Sequence, residues 1–178
     1  AEIRAEASRD FWLLGGGVQT RLATWGILSA AAAYSQYRGT GGHHINFGYD
    51  YQAGAFSIAL RHMRESRHYR DLGQLGDYAN PAARQQNLGS VNFSMGRAGN
   101  LGLNYAEYRG DNRPVSRYAN LNYSVPFASR GSAYLQLGRD LSNNGWTASL
   151  GVSLSLGAKG SLTAGITDQS QGRRGYRL

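Results

Sequence analysis

Histidine and acidic residues are the side chains with which metal or acid–base chemistry could begin in this sequence. His43 and His44 are adjacent, so in a strand they point to opposite faces and cannot ligate one metal ion together. His62 and His68 are six residues apart, and Glu65 is the carboxylate at ligand spacing between them. Loop histidines explain this pattern better than a metal site does.

The sequence also gives no support for a nucleophilic or a phosphate-binding site. The sequence has no cysteine, which excludes thiolate nucleophiles and disulfides. No motif places a serine beside a histidine base. The glycine run Gly15–Gly17 falls inside a predicted strand with no helix after it, so it does not form a phosphate-binding loop. The sequence therefore predicts no enzyme, no cofactor and no metal.

An Arg109–Gly110–Asp111 tripeptide, of the kind that integrins read, ends one predicted strand. Asp111 and Asn112 tolerate left-handed turn geometry, and Pro114 fixes its own φ. An ordinary turn therefore explains this stretch better than adhesion does.

The composition describes one domain of ordinary size. The 178 residues include 25 glycines and three prolines, and 19 Lys+Arg against 11 Asp+Glu give a net charge of +8. Lys159 is the one lysine, and the densest basic stretch, Arg61–Arg70, is interrupted by Glu65, so no nucleic-acid partner is expected. The longest apolar stretch, Trp25–Tyr34, is shorter than the roughly 18 residues of a spanning helix. The start, Ala1–Glu6, lacks secretory-signal character, so we expect a mature form or an excised piece.

Hydrophobic alternation with a period of two runs through most of the chain. In Trp146–Leu156, Val152 and Leu154 share one face and Ser153 lies on the other, which is typical of a strand. The predicted strands, roughly ten in number, are Ile3–Ala7, Leu13–Leu22, Ile27–Tyr37, Ile45–Tyr51, Phe56–Leu60, Val91–Met95, Leu101–Tyr105, Ala119–Phe127, Ala133–Leu137, Trp146–Leu156 and Leu162–Ile166.

Short and long links alternate between these strands. Alternation of this kind is typical of outer-membrane barrels, which have short periplasmic turns and long external loops. The predicted short turns are Ala23–Gly26, Gln52–Gly54, Arg97–Asn100, Ser129–Gly131 and Gly157–Gly160. The predicted long links are Arg38–His43, Glu65–Gln86, Gly110–Val115, Asp140–Gly145 and Asp168–Gly175. We expect Glu65–Gln86 to be a mobile external loop, with inward folding or a cover over the pore mouth as the alternatives.

The two faces of the predicted strands differ in chemistry. One carries small hydrogen-bonding side chains, as expected of a wall facing water inside a channel, and the other is apolar, as expected toward lipid. The predicted lumen-facing residues are Asn46, Ser57, Asn92, Ser94, Asn104, Asn120, Asn122, Gln136, Ser149 and Ser153. The predicted lipid-facing residues are Phe47, Ile58, Phe93, Leu103, Leu121, Leu135, Leu150, Val152 and Leu154. The tyrosines predicted to form an interfacial girdle are Tyr34, Tyr37, Tyr49, Tyr51, Tyr105, Tyr108, Tyr118 and Tyr123.

The chain also resembles a known family. The run Asn87–Gly157, with its Gly-Arg-x-Gly-x-Leu turn at Gly96–Leu101, is similar to the translocation barrel of outer-membrane fimbrial ushers, as is Tyr69–Leu72 with its Tyr-Arg-Asp-Leu. The resemblance implies that residues 1–178 are an internal barrel segment after the plug, without a separate soluble domain. It further implies a pore of the chaperone–usher pathway for fimbrium biogenesis, pilus assembly and protein transport.

The resemblance also implies a location and partners. The location is the outer membrane of a Gram-negative cell, with outer-membrane lipid around the barrel. Pilus subunits and a periplasmic chaperone would be engaged through parts of the parent protein that this sequence lacks.

Two alternatives stay open. The first is a self-contained small outer-membrane barrel acting as a porin, an adhesin or a lipid-modifying enzyme. The second is a soluble β-sandwich or lectin-like module. The low Lys and Glu content of the polar face favours a closed barrel over the second alternative. Soluble sheets normally carry such charges at their edges, where they prevent pairing with another sheet.

Overall fold

The computed structural model describes residues 1–75, 84–111, 114–127, 130–156, 160–170 and 175–177. In this part of the chain twelve strands lie in one sheet in chain order, each beside the next. The predicted all-β, antiparallel up-and-down fold is confirmed. The strands are β1 (Glu2–Ser8), β2 (Phe11–Arg21), β3 (Ile27–Tyr37), β4 (Thr40–Ala53), β5 (Phe56–Glu65), β6 (Gln85–Ser94), β7 (Asn100–Arg109), β8 (Ser116–Phe127), β9 (Gly131–Asp140), β10 (Trp146–Ser155), β11 (Ser161–Gln169) and β12 (Gly175–Arg177).

The chain packs as two compact units. The first comprises Ala1–Tyr51, Ile58–Gly89 and Glu107–Val115. The second comprises Gln52–Ser57, Ser90–Ala106 and Ser116–Leu178. The first unit contains the whole of β1 to β3 and β4 as far as Tyr51, and the second contains the whole of β8 to β12.

The link between β3 and β4 is shorter than the sequence predicts. Tyr37 pairs directly with Thr40, so only Arg38 and Gly39 form the turn. Both have positive φ, 48° and 81°, which is the backbone that a tight two-residue hairpin requires. The predicted long link Arg38–His43 is therefore wrong, because 40–43 continue the ladder of β4.

The lengths of the other links do not alternate between short and long as regularly as the sequence predicts. Two residues, 9 and 10, join β1 to β2. The link from β5 to β6 runs from 66 to 84, and 76–83 lie outside the described residues. Parts of the predicted links Gly110–Val115, Ser129–Gly131, Gly157–Gly160 and Asp168–Gly175 lie outside them as well.

The same backbone hydrogen bond recurs at three hairpins. Leu22, Met95 and Leu156 each donate a backbone N–H to the carbonyl of the glycine four residues on, with N–O distances of 2.8, 2.7 and 2.8 Å. The first two turns contain one-turn 3-10 helices, Ala23–Trp25 and Gly96–Ala98. The predicted turns at Ala23–Gly26 and Arg97–Asn100 are thus closed five-residue loops.

Candidate functional site

The register of β8 to β11 divides the second unit into two faces. Directly paired residues of antiparallel strands share a face, so the pairings Asn122–Gln136, Gln136–Ser149 and Ser149–Thr167 define one row. We call the surface that carries this row the Ser149 face. The opposite surface, the Leu150 face, carries Leu150 paired with Leu135 and with Ile166.

Small hydroxyls and amides make up the Ser149 face. Ser149 and Thr167 share a hydrogen bond of 3.0 Å between their hydroxyl oxygens, and Thr163 donates one of 3.3 Å to Ser153. These pairs are half-buried and satisfy one another, and among the described residues neither pair has a hydrogen bond to a basic side chain. The face therefore offers many weak donors and acceptors to water or to a solute rather than one reactive group.

An open groove lies in the second unit where polar side chains of several strands gather. It has a volume of about 370 Å³, and Ser57, Asn92, Asn122 and Gln136 contribute to its lining. The amide nitrogen of Asn92 donates to the hydroxyl of Ser57 at 3.4 Å. Gly102 keeps room for this cluster, because a Cβ there would lie 3.0 Å from Asn92 Oδ1.

Large apolar side chains of the Leu150 face are exposed. Leu150 is 56% exposed, Val152 42% and Ile166 44%. In a soluble sheet such side chains would be buried against a second layer. A continuous exposed apolar surface on a sheet instead fits contact with lipid hydrocarbon.

The predicted face assignments can be compared with the register. The residues of the lumen-facing set that the register places on the Ser149 face are Asn120, Asn122, Gln136, Ser149 and Ser153. The residues of the lipid-facing set on the Leu150 face are Leu121, Leu135, Leu150, Val152 and Leu154. The remaining predicted residues of this unit, Ser57, Asn92, Ser94, Asn104, Phe93 and Leu103, are half-buried or exposed. Which face meets lipid stays a prediction.

The first unit has a comparable division. His44 pairs with Ala33 and Asn46 with Ala31, while Phe47, 51% exposed, pairs with Ala30 on the opposite surface. We call these surfaces the His44 face and the Phe47 face. Ile58 is half-buried.

Charged side chains of the His44 face are paired. Asp50, which the register places on this face, forms a 2.6 Å ion pair with Arg61. His44 Nδ1 lies 3.0 Å from Glu65 Oε1, and both side chains are largely buried. Glu65 Oε2 is buried with no hydrogen-bond partner among the described residues.

Phe11 and Leu13, both large and apolar, lie on the His44 face, where alternation predicts polar residues. Leu13 pairs with Ser35 and Ser35 with Gly42, and Phe11 is two residues before Leu13 on the same strand. Phe11 and Leu13 are each only 2% exposed because Tyr69 packs on them. Sequence alternation alone missed this contact, since Tyr69 comes from the link after β5.

The start of that link, residues 66–72, lies against the His44 face. His43 N–H donates to Ser66 Oγ at 2.8 Å, and Arg70 N–H donates to the buried Ser35 Oγ at 3.0 Å. For 66–72 these contacts show a segment folded onto the sheet, whereas the mobility of the whole link Glu65–Gln86 and its external position stay predictions. Hydrogen bonds to the strands and a buried tyrosine hold this part in place.

Burial raises the pKa of the Tyr69 phenol above its ordinary value of 10.0, and the negative charges of Asp71 and Glu65 add to the rise. The neutral phenol is the form that this packing favours.

The Arg109–Gly110–Asp111 tripeptide is tied into the first unit. Asp111 Oδ2 accepts a 3.1 Å bond from Arg84 Nε, and Arg109 Nε donates to Glu107 Oε1 at 3.0 Å. Glu107 also accepts from Asn87, whose amide oxygen lies 2.6 Å from His62 Nδ1. These contacts give the tripeptide a structural role. Asn112 lies outside the described residues.

The described residues offer neither a metal-binding cluster nor a membrane-spanning helix. Among them no group of three or more His, Cys, Asp or Glu side chains is placed to hold a metal ion. No helix in the same residues is long and apolar enough to cross a membrane.

The predicted tyrosine girdle is divided between exposed and tethered residues. Tyr34, Tyr105, Tyr108 and Tyr118 are between 36% and 46% exposed. Tyr49 and Tyr123 instead donate hydroxyl hydrogen bonds to turns.

Comparison with known proteins corrects the usher resemblance. No family model and no curated protein matches the chain. Among solved structures the chain is similar to a KdgM porin, with a TM-score of 0.49 and 16% identity over 98% of this chain and 92% of that chain. None of these findings is an usher, so the usher identity, fimbrium biogenesis, pilus assembly, protein transport and the chaperone–usher pathway are withdrawn as predictions. The predicted pilus-subunit and chaperone partners are withdrawn with them.

The predicted location, the outer membrane of a Gram-negative cell, is confirmed. The up-and-down sheet and the exposed apolar Leu150 face are the features expected of a strand wall in that membrane.

Proposed function

We propose that the chain is a small outer-membrane channel, a porin, through which small polar solutes cross. The observation that carries this proposal is the opposition of the two faces of β8 to β11. Asn122, Gln136 and Ser149 share one face, while Leu135 and Leu150 share the other. In this proposal the whole chain, 1–178, forms the membrane wall, with no separate soluble domain.

In this proposal the polar face of each unit, the Ser149 face or the His44 face, meets water, and the apolar face of each unit, the Leu150 face or the Phe47 face, meets lipid. The lining hydroxyls and amides exchange hydrogen bonds with water at little net cost, about 1 kcal/mol or less for each exchange. A solute that moves along such a wall replaces one weak contact with another. A solute bound this weakly can also leave the wall, as conduction through a channel requires.

The same chemistry supports a channel without catalysis. The Ser149 hydroxyl is bonded to the Thr167 hydroxyl and not to a histidine or carboxylate. The Asp50 and Arg61 charges on the His44 face neutralise each other in a pair. Paired charges and paired hydroxyls suit a wall that solutes pass.

The test is reconstitution of the purified full chain in planar bilayers and in liposomes. We expect discrete conductance steps, and liposome swelling with small uncharged solutes that falls off with solute size. A matched pair of variants assigns the lining: Ser149→Arg should change conductance or ion selectivity, whereas Leu150→Ala should leave both unchanged. Absence of conductance and of swelling from correctly folded protein would overturn the proposal.

A further inference from the structure

We infer that residues 66–72 form a constriction in the proposed channel and that Tyr69 is the residue that sets the size limit for solutes. This inference rests on the proposed function. It concerns a segment that belongs to no strand and yet lies against the face proposed to meet water. The observations behind it all come from the first unit.

Tyr69 is anchored as a core residue although it lies in a link. It is 6% exposed, and it packs on Phe11 and Leu13. Its ring also lies 5.2 Å from the His44 ring, measured between centroids. The three partners come from β2 and β4, so this one side chain fastens the segment to two strands.

Backbone hydrogen bonds hold the segment on both sides of Tyr69. Before it, Ser66 exchanges two bonds with His43, one through its hydroxyl and one through its N–H, both 2.8 Å long. After it, Arg70 N–H binds Ser35 Oγ at 3.0 Å and Leu72 N–H binds Glu6 Oε2 at 3.2 Å. The contacts reach β4, β3 and β1 in turn, so the segment crosses the strands.

Gly42 leaves the space that this crossing needs. A Cβ at Gly42 would collide with the backbone of His68 and Tyr69. Gly42 is on the His44 face, since it pairs with Ser35. Any side chain larger than hydrogen there would push the segment away from the wall.

The face on which the segment lies is the decisive point. Leu13, Ser35 and Gly42 form one row across β2, β3 and β4, and Leu14, Tyr34 and His43 form the row on the opposite surface. The segment covers the first row, and Leu14 and Tyr34 remain 55% and 46% exposed. If the His44 face meets the passage, the backbone of 66–72 occupies part of its cross-section, and the size of the remaining opening limits what crosses.

The experiment measures single-channel conductance of the full chain, together with exclusion of uncharged polyethylene glycols of graded size. Tyr69→Ala removes the anchor, and we expect conductance to rise on the order of two-fold, with larger polymers admitted. Leu13→Ala should act in the same direction. Leu14→Ala is the matched control, since it changes the same residue type one position away on the opposite face, and it should leave the polymer limit unchanged.

A cysteine pair provides a second measurement. The chain has no cysteine of its own, so Ser35→Cys with Arg70→Cys introduces one possible bridge. The 3.0 Å bond from Arg70 N to Ser35 Oγ places their Cα atoms within the roughly 7 Å that a disulfide spans. In a Tyr69→Ala background, oxidation should restore the smaller polymer limit and reduction should remove it.

The outcomes separate the two proposals. A larger limit for Tyr69→Ala than for the conducting wild type supports the constriction. Equal limits for wild type, Tyr69→Ala and the reduced and oxidised pair would overturn it and leave the channel intact. No conductance from any of these proteins would overturn the proposed function itself.

Discussion

The hydroxyl of Tyr49 donates a 2.5 Å hydrogen bond to the main-chain carbonyl of Trp25. Tyr49 is on β4, whereas Trp25 lies in the turn between β2 and β3, so the tyrosine ties a neighbouring hairpin turn to its own strand. The second unit repeats the relationship: Tyr123 of β8 donates to Ala98 in the turn between β6 and β7, at 2.6 Å. Both turns have the five-residue design closed by a glycine. Because the same arrangement occurs twice, we infer that a five-residue turn of this geometry and a tyrosine that bonds to it are used as a pair.

The glycines that close these two turns should tolerate no side chain. Gly26 and Gly99 have φ of 106° and 98°, and a Cβ on either would collide with a carbonyl oxygen, that of Asp50 or that of Ser124. We expect Gly26→Ala and Gly99→Ala each to lower the free energy of unfolding by about 2 to 4 kcal/mol, from φ strain and the clash together.

Gly96 is the matched control within the second turn. Its φ is also positive, 59°, but no atom lies within 4 Å of where its Cβ would be. Gly96→Ala should therefore cost only about 1 kcal/mol. Urea unfolding of the protein in lipid vesicles measures all three variants. Equal losses at Gly96 and Gly99 would show that the carbonyl contact does not matter.

Loss of the tethering hydroxyls should have a smaller effect. Tyr49→Phe and Tyr123→Phe each remove one hydrogen bond to a turn carbonyl, so each should cost about 1 kcal/mol. Tyr118→Phe, at a tyrosine that is 45% exposed, is the control and should be close to neutral. The same unfolding measurement applies, and amide exchange at the turns should quicken only in the first two variants. A Tyr118→Phe loss as large as theirs would contradict the tethering role.

Sequence periodicity separated the residues of β8 to β11 into a polar and an apolar set, and the register keeps the two sets on opposite surfaces. β10 is the clearest case: Ser149, Leu150 and Val152 alternate, and the register pairs each with a residue of its own kind or with alanine. Local alternation is enough when nothing but water or lipid covers a face.

The first unit was harder to predict for a physical reason. Phe11, Trp12, Leu13 and Leu14 are apolar on both faces, so alternation gives no signal there. The partner that buries Phe11 and Leu13 is Tyr69, which lies far along the chain in a link without periodicity. The short turn at Arg38 was missed because an arginine gives no hint of its positive φ. A local pattern of polar and apolar residues cannot predict a contact between distant parts of the chain or a positive φ at an arginine.

The faces of β10 should differ sharply in their tolerance of charge. Leu150→Arg and Val152→Arg would place a guanidinium against lipid, and each should cost about 2 to 4 kcal/mol near the bilayer midplane. Ser149→Arg and Ser153→Arg, on the opposite face, should cost about 1 kcal/mol or less, the loss of one hydroxyl contact. Unfolding in vesicles measures the four variants. Similar losses on both faces would reject the lipid-facing assignment.

Alkaline pH should release the segment 66–72. The pKa of Tyr69 in the folded protein is raised above the value of 10.0, first by burial and then by Asp71 and Glu65. The folded state therefore prefers the neutral phenol. Its contribution to stability is complete below pH 10 and is lost as the pH rises through the folded-state pKa. We expect the polyethylene glycol limit of the reconstituted channel to increase reversibly over that window.

Tyr69→Phe is the control for this pH effect, since it keeps the ring that packs on Phe11 and Leu13 but cannot ionise. Its polymer limit should match that of the wild type at pH 8 and should stay constant as the pH rises past 10. Absorbance at the phenolate band adds an independent measurement, because the variant should lack the tyrosine that titrates late in the wild type. If wild type and Tyr69→Phe respond to alkali alike, ionisation of Tyr69 does not control the segment, and another group must account for the response.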